Sequence, residues 1–263
     1  MARFSTATHW GAYGVETQDG EVVSMEPFPE DPDPSPIGFG MPQAIKDPVR
    51  IEQPMIRKVW LDSEGKDSSI RRGEGQYVAV SWEKAIKLVA NEMERVRKRF
   101  GNNAIYAGSY GWASAGRFHH ANSQLHRFMA SAGGYVFSKN TYSLAAGDVI
   151  LPHILGMGTF QQMEINTPLE MVADHTKLLV SFGGIPIKNT QVEGGGMGLH
   201  HVRGALEKCS RNGVRFVNFG PIKSDMINEV NCEWYANRPN TDVAIMIGLA
   251  HTIVSLELHD KKF

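Results

Sequence analysis

Two short apolar runs, each closed by a glycine turn, constrain this chain more than any other feature. Lys177 to Phe182 (KLLVSF) is almost continuously apolar and ends in Gly183-Gly184. Val214 to Phe219 (VRFVNF) ends in Gly220-Pro221. A nearly continuous run suits a strand covered on both faces of a parallel sheet. Parallel strands need a crossover, and the segment from about Gly198 to Asn212 reads as its helix. Strand, helix, strand with glycines after the first strand is a Rossmann-like βαβ unit, which sets the fold class as α/β. Ligands gather at the carboxyl ends of such strands. The glycines do not follow G-x-G-x-x-G spacing, however, and Gly194-Gly195-Gly196 lie too far downstream to supply it. The unit alone is weak evidence for a nucleotide.

Upstream, residues 1–75 read as an irregular, β-rich region. Val15 to Met25 resembles a hairpin with Asp19-Gly20 at its turn. Five prolines between Pro27 and Pro36 then exclude a helix. That run is a linker or, as slightly favoured, an extended arm with apolar anchors at Phe28, Ile37, Phe39 and Met41. Residues 76–165 form an α/β middle region. A strand is expected at Tyr77 to Val80, and then Ser81 as the N-cap of a helix whose apolar face is Trp82, Ile86, Val89, Met93, Val96 and Phe100. A strand at Ala104 to Ala107 leads into the Gly-rich turn GSYGW. A helix from about Ser114 turns Phe118, Leu125, Phe128 and Met129 inward and stops at Gly133-Gly134. Another helix follows Ser143. Residues 166–263 hold the βαβ unit and a last helix, capped by Asn240 or Thr241 and running to about Leu256.

Composition narrows the function classes. The 263 residues carry 28 carboxylates against 27 Lys and Arg, a formal net charge of −1, with 42% hydrophobic residues. That excludes a disordered tail or coiled coil and argues against bulk nucleic-acid binding. No stretch reaches the roughly 18 apolar residues of a membrane span. Met1 does not open a secretory signal, so the chain reads as cytoplasmic, or periplasmic with a leader removed. The two cysteines, Cys209 and Cys232, read as small buried hydrophobes, too few for a disulfide framework and unclustered for zinc or iron–sulfur. His119 and His126 share a helix face two turns apart, and with His120 they suit hydrogen bonding within the packing better than a metal. No HExxH, GxSxG or P-loop motif occurs.

Taken singly, the remaining polar positions have plain readings. Ser143 is a helix N-cap, Tyr110 and Trp112 are half-buried aromatics, and Lys188 is a solvated charge. Two amphipathic aromatics on a Gly-rich turn also suit a pocket wall, and a lysine at the end of a buried strand can meet a phosphate. Together, however, GSYGWASAGRFHHANSQLHRFM and NTYSLAAGDVILPHILG resemble the dimethyl sulfoxide reductase family of molybdenum enzymes. Within it they resemble the branch reducing S-oxides and N-oxides: dimethyl sulfoxide, trimethylamine N-oxide and biotin sulfoxide. THWGAYG, the arm PFPEDPDPSPIG and RPNTDVAIMIGLAHT extend the likeness along nearly the whole chain.

The resemblance implies an oxygen-atom transfer enzyme whose molybdenum sits in a bis(molybdopterin guanine dinucleotide) cofactor. Ser143 matches the serine that ligates the metal through oxygen, where other branches place cysteine or another ligand. Tyr110 matches the tyrosine that contacts the oxygen being transferred. Trp112 matches the tryptophan over the metal. Trp112, Ala113, Ser114, Ala115 and Gly116, with Lys188 and Asn189, match segments lining the cofactor. By looser match, Gly220-Pro221 with Ser224, and Thr241-Asp242, line a nucleotide end of it. Gly220 departs from the pattern, since many relatives carry an acidic or polar side chain there. Absence of cysteines before Cys209 matches the branch without an iron–sulfur cluster. The implied partners are a small S- or N-oxide, an unidentified electron donor, and a chain supplying the C-terminal half. Family members have four domains around two pterins, so this chain reads as their N-terminal portion. A non-catalytic fragment that binds part of the cofactor is the alternative.

Overall fold

The computed structural model describes residues 1–66, 71, 73–109, 120–141 and 143–262. The chain divides into two compact units. The first comprises Met1–Phe4, Val15–Met25 and Ile37–Ser143, and the second comprises Ser5–Gly14, Glu26–Pro36 and Leu144–Phe263.

The sheet β1 (Ala2–Thr8), β2 (Gly11–Gln18), β3 (Glu21–Pro27) has β2 at its centre. Its β2–β3 connection is the expected hairpin: Asp19 and Gly20 both take positive φ, 54° and 84°, as a two-residue turn of this hand requires. In the first unit, α1 (Ile37–Lys46) occupies the stretch assigned to apolar anchors of the arm. Ile37 and Phe39 are exposed on it, as is Phe28 before it. β4 (Met55–Arg57) runs into α2 (Lys58–Asp62) and pairs antiparallel with β5 (Tyr77–Ala79). Ser81 caps α3 (Trp82–Phe100) as expected, accepting from the Lys84 backbone N–H at 3.2 Å. The apolar face of α3 is only partly used. Met93 and Val96 are half-buried, while Trp82, Ile86, Val89 and Phe100 are exposed. Periodicity fixes the helix, whereas burial needs a partner element. In place of the strand expected at Ala104 to Ala107, a 3-10 turn (Asn102–Ala104) is followed by one bridge, Tyr106 to Val136. α4 (Ala121–Ser131) buries Met129 but leaves Phe128 exposed, and it stops at Gly133-Gly134, both at positive φ. Phe118 lies outside the described residues.

The second unit contains α5 (Ala145–Ile154), α6 (Thr159–Glu164), α7 (Leu169–His175), β6 (Leu178–Phe182), α8 (Ile187–Thr190), α9 (Val202–Arg211), β7 (Arg215–Phe219), β8 (Cys232–Tyr235) and α10 (Asp242–Ser255). β6, β7 and β8 form one parallel sheet in that order, so the fold is mixed α/β with the βαβ unit at its centre. β8 adds a strand that its sequence, CEWY, does not announce.

The main core lies on one face of this sheet. Phe216 packs there with Leu206 and Cys209 of α9, Ala173 of α7, and Met226, Ile227 and Val230 from the β7–β8 crossover. α9 reaches it through Val202, Ala205, Leu206 and Cys209 at helical spacing, with Arg203, Glu207 and Lys208 turned outward. The expectation that β6 is covered on both faces fails, because Leu178 and Val180 are exposed. The opposite face instead carries a ladder of rings, Phe182 over Phe219 at 5.2 Å and Phe219 over Tyr235 at 5.3 Å. α10 shows why: Val243, Ile247 and Val254 are exposed on it, so the apolar helix is not spent covering that face. Cys209 is fully buried as expected, Cys232 only partly. No helix among the described residues is long and apolar enough to cross a membrane.

Candidate functional site

Ser143 stands at the end of the first unit and is not a helix cap. α5 begins two residues later with Leu144 at its N-cap position and no side-chain cap bond. The exposed Ser143 hydroxyl lies 2.8 Å from Thr141 Oγ1, which accepts the Ser143 backbone N–H at 3.0 Å. Tyr110, Trp112, Ala113, Ser114, Ala115 and Gly116 lie outside the described residues. So does His119, whereas His126 bonds the Tyr135 hydroxyl and stacks on its ring. Among the described residues no group of three His, Cys, Asp or Glu could hold a metal.

In the second unit, several expected residues meet at the carboxyl ends of β6 and β7. Gly183 N–H donates to the Phe219 carbonyl and Ile185 N–H to the Asp225 carbonyl, each at 2.8 Å. Lys188 pairs with Asp225 at 2.9 Å, which brings the Lys188–Asn189 turn beside the loop that holds Gly220, Pro221 and Ser224. The lysine is thus a partnered charge. Ser224 lines a cavity of about 650 Å³ together with Asn218, Lys223, Glu229 and Trp234. Gly220 lies alongside, its missing Cβ 3.6 Å from the Asn218 amide. Thr241 and Asp242 stand apart: the Thr241 hydroxyl donates to the Arg238 carbonyl, and Asp242 accepts from Asn237. Asn240, the other expected cap, takes a φ of 66°.

Two features carry no local sequence signal. The proline arm is pinned by carboxylates. Asp31, buried, accepts from the His200 backbone N–H at 3.0 Å and bonds its ring Nδ1 at 2.7 Å, while Asp33 holds Arg203 at 3.1 Å. Burial pushes the Asp31 carboxyl up, but the His200 backbone and ring and the Asp33 N–H outweigh it and hold the group below its ordinary value. Burial pushes both thiols up, so neither is a ready thiolate. The second feature is Asn218, at 1% exposure, whose Nδ2 has no partner among the described residues.

Residues 50–263 match the molybdopterin oxidoreductase family, and residues 6–45 match the molybdopterin oxidoreductase N-terminal domain. The chain belongs to the molybdopterin oxidoreductase family. The biotin sulfoxide reductase of Cereibacter sphaeroides is 41% identical over 92% of this chain and 32% of its own length. The trimethylamine-N-oxide reductase of Haemophilus influenzae is 35% identical over 100% of the chain and 32% of its own. The dimethyl sulfoxide/trimethylamine N-oxide reductase of Rhodobacter capsulatus is 34% identical over 98% and 31%. The chain thus spans about a third of the length of the curated relatives it matches. Acetylene hydratase from Pelobacter acetylenicus superposes with a TM-score of 0.52 at 15% identity, over 98% of this chain, and shares the fold.

Membership implies a molybdenum–pterin group. The second unit has room for part of one: a cavity near the carboxyl end of its parallel strands, lined by Asn218, Lys223, Ser224 and Trp234.

Proposed function

We propose that this chain carries the metal-anchoring part of a molybdenum-dependent reductase of S-oxides or N-oxides, its metal held in a bis(molybdopterin guanine dinucleotide) group. One observation carries the reading: similarity to reductases of biotin sulfoxide, dimethyl sulfoxide and trimethylamine N-oxide runs along essentially the whole chain. The bound group supplies the two-electron chemistry that takes oxygen from the substrate, and the protein's share is placement and electrostatics.

Ser143 Oγ is the metal anchor. Thr141 Oγ1 already accepts the Ser143 N–H, so its own proton is available to donate to a deprotonated Ser143 oxygen and steady it. By the family likeness, Tyr110 would donate a hydrogen bond to the oxide oxygen, where negative charge develops. Trp112 would lie over the metal, and Ala113, Ser114, Ala115 and Gly116 would help hold the group. Lys188 and Asn189, with Gly220-Pro221 and Ser224, would line a nucleotide end of the group, while Thr241 and Asp242, which stand apart from them, are assigned to a nucleotide end by the family likeness alone. With Cys209 in the core and Cys232 alone in β8, the reading needs no iron–sulfur cluster.

A second reading follows from the share of the relatives covered and the exposed apolar side chains of α10: a chain that binds part of the group and turns over only with a partner supplying the rest. Oxidation of a reduced dye on addition of biotin sulfoxide, methionine sulfoxide, dimethyl sulfoxide or trimethylamine N-oxide tests the pair. Oxide-dependent oxidation by the molybdenum-loaded chain establishes the reductase. Bound metal without any oxide-dependent oxidation selects the second reading.

A further inference from the structure

We infer that the exposed face of α3 is a self-association surface, on which a second copy of this chain lays its own α3 antiparallel to the first. Trp82, Ile86, Val89, Met93, Val96 and Phe100 follow one another at steps of four, three, four, three and four, the spacing by which one helix seats against another along a seam. Met93 and Val96 are half-buried within the fold, but Trp82, Ile86, Val89 and Phe100 remain 56–69% exposed. The seam runs the full length of a 19-residue helix, about 28 Å at the helical rise. A contiguous apolar stripe of that length marks a protein contact, whereas apolar residues scattered singly over a surface do not.

Charge on the flanks of the seam selects the occupant and its direction. A two-fold contact uses the same patch on both chains, so the patch must complement itself. Antiparallel pairing about Asn91 sets Trp82 against the second copy's Phe100, Ile86 against its Val96 and Val89 against its Met93. It also sets Glu83 against the second copy's Arg97, twice by symmetry, on one flank of the seam. Lys84 and Lys87 lie on the far side of the helix, clear of the contact, and Glu94 is held by Lys98 at 2.7 Å. Glu92, on the other flank, meets its own copy, but Arg95 already neutralises it at 2.7 Å. Parallel pairing would instead bring together the two basic last turns, Arg97, Lys98 and Arg99, and align the helix dipoles. Arg97 is placed for its role: the guanidinium donates to the Ala132 carbonyl at 3.2 Å and has further N–H groups with which to meet a carboxylate. On that same flank Met93, Arg97, Ile105 and Phe128 line a hollow of about 180 Å³, room for a branched aliphatic side chain. In the antiparallel register the knob that arrives over it is the second copy's Ile86, a residue exposed on the single chain.

Sedimentation equilibrium of the purified chain over a range of concentrations tests the contact. The mass of 29.1 kDa should double as concentration rises. Ile86→Glu, a change at an exposed position, should leave the far-ultraviolet circular dichroism unaltered and abolish the doubling. Glu83→Arg and Arg97→Glu each turn two attractive contacts into repulsive ones and should weaken dimerisation roughly tenfold. Combining Glu83→Arg with Arg97→Glu reverses both charges and restores the pairing, so the double variant should dimerise as wild type does. That rescue fixes the antiparallel direction, and it decides the matter if Ile86→Glu fails to fold. A chain that stays at 29.1 kDa at every concentration overturns the inference. So does a dimer that Ile86→Glu leaves intact, the result expected if association runs through the exposed side chains of α10 instead. Single charge variants that dimerise like wild type, or a double variant that is not restored, overturn the antiparallel pairing. The contact makes no use of bound molybdenum, so its failure leaves the reductase reading untouched.

Discussion

Gly184 shows how closely two loops approach at the end of the parallel sheet. Its φ is 76°, and a Cβ there would fall well inside contact distance of the Asp225 carbonyl oxygen, which already accepts the Ile185 N–H. Gly183, at φ 95°, has nothing within 4 Å of the same construction. Gly184→Ala must therefore break the approach of the Lys188 turn to the Ser224 loop, while Gly183→Ala bears only backbone strain. Thermal unfolding should show the first costing at least about 2 kcal/mol and the second about 1 kcal/mol. Equal losses would mean that the approach is not tight. At this scale, what could be read from sequence was local. The Asp19-Gly20 turn and the Ser81 cap each act within three residues, so residue type alone reveals them. Asn218 could not be found that way, because the penultimate asparagine in VRFVNF looks like any polar interruption of a strand until its neighbour Ser181, 37 residues away, takes up its acceptor.

Among elements, the arm at residues 27–36 is the clearest case of long-range pairing deciding a local structure. Five prolines exclude a helix, but they do not say what holds the extended chain. Phe28, Ile37 and Phe39 are exposed, and the Asp31–His200 pair, 169 residues apart in sequence, does the holding. Because the Asp31 carboxyl is held below its ordinary value of 3.8, the ionised form stabilises the fold above that value, and the contribution is lost as pH falls through the lowered one. Urea unfolding should find Asp31→Asn about 2 kcal/mol less stable than wild type at neutral pH, with the gap closing on acidification below the ordinary value. A gap that stays constant with pH would place the loss in packing rather than in charge. The same scale explains the misreadings of α3 and β6. Apolar periodicity states which face seeks cover, and in β6 a continuous run suggests cover on both sides, yet neither names a covering element. Trp82 and Ile86 of α3 and Leu178 of β6 keep their pattern and remain exposed.

For the whole molecule, the chain spans about a third of the length of its curated relatives in the molybdopterin oxidoreductase family, and apolar side chains of α10 and of the β6 face are exposed. The family was legible because its signature strings are contiguous: NTYSLAAGDVILPHILG reads as one string, and it places Ser143 in a turn that its own hydrogen bonds to Thr141 define. Periodicity alone makes Ser143 the cap of α5, and the geometry of Leu144 removes that role. Metal anchoring by Ser143 is therefore the claim on which the functional reading turns. Its most direct test is molybdenum per chain, by elemental mass spectrometry, on the polypeptide expressed with an intact cofactor pathway. Wild type should carry near-stoichiometric molybdenum and Ser143→Ala markedly less; a wild-type chain without molybdenum, or a Ser143→Ala chain that holds as much as wild type, would contradict it.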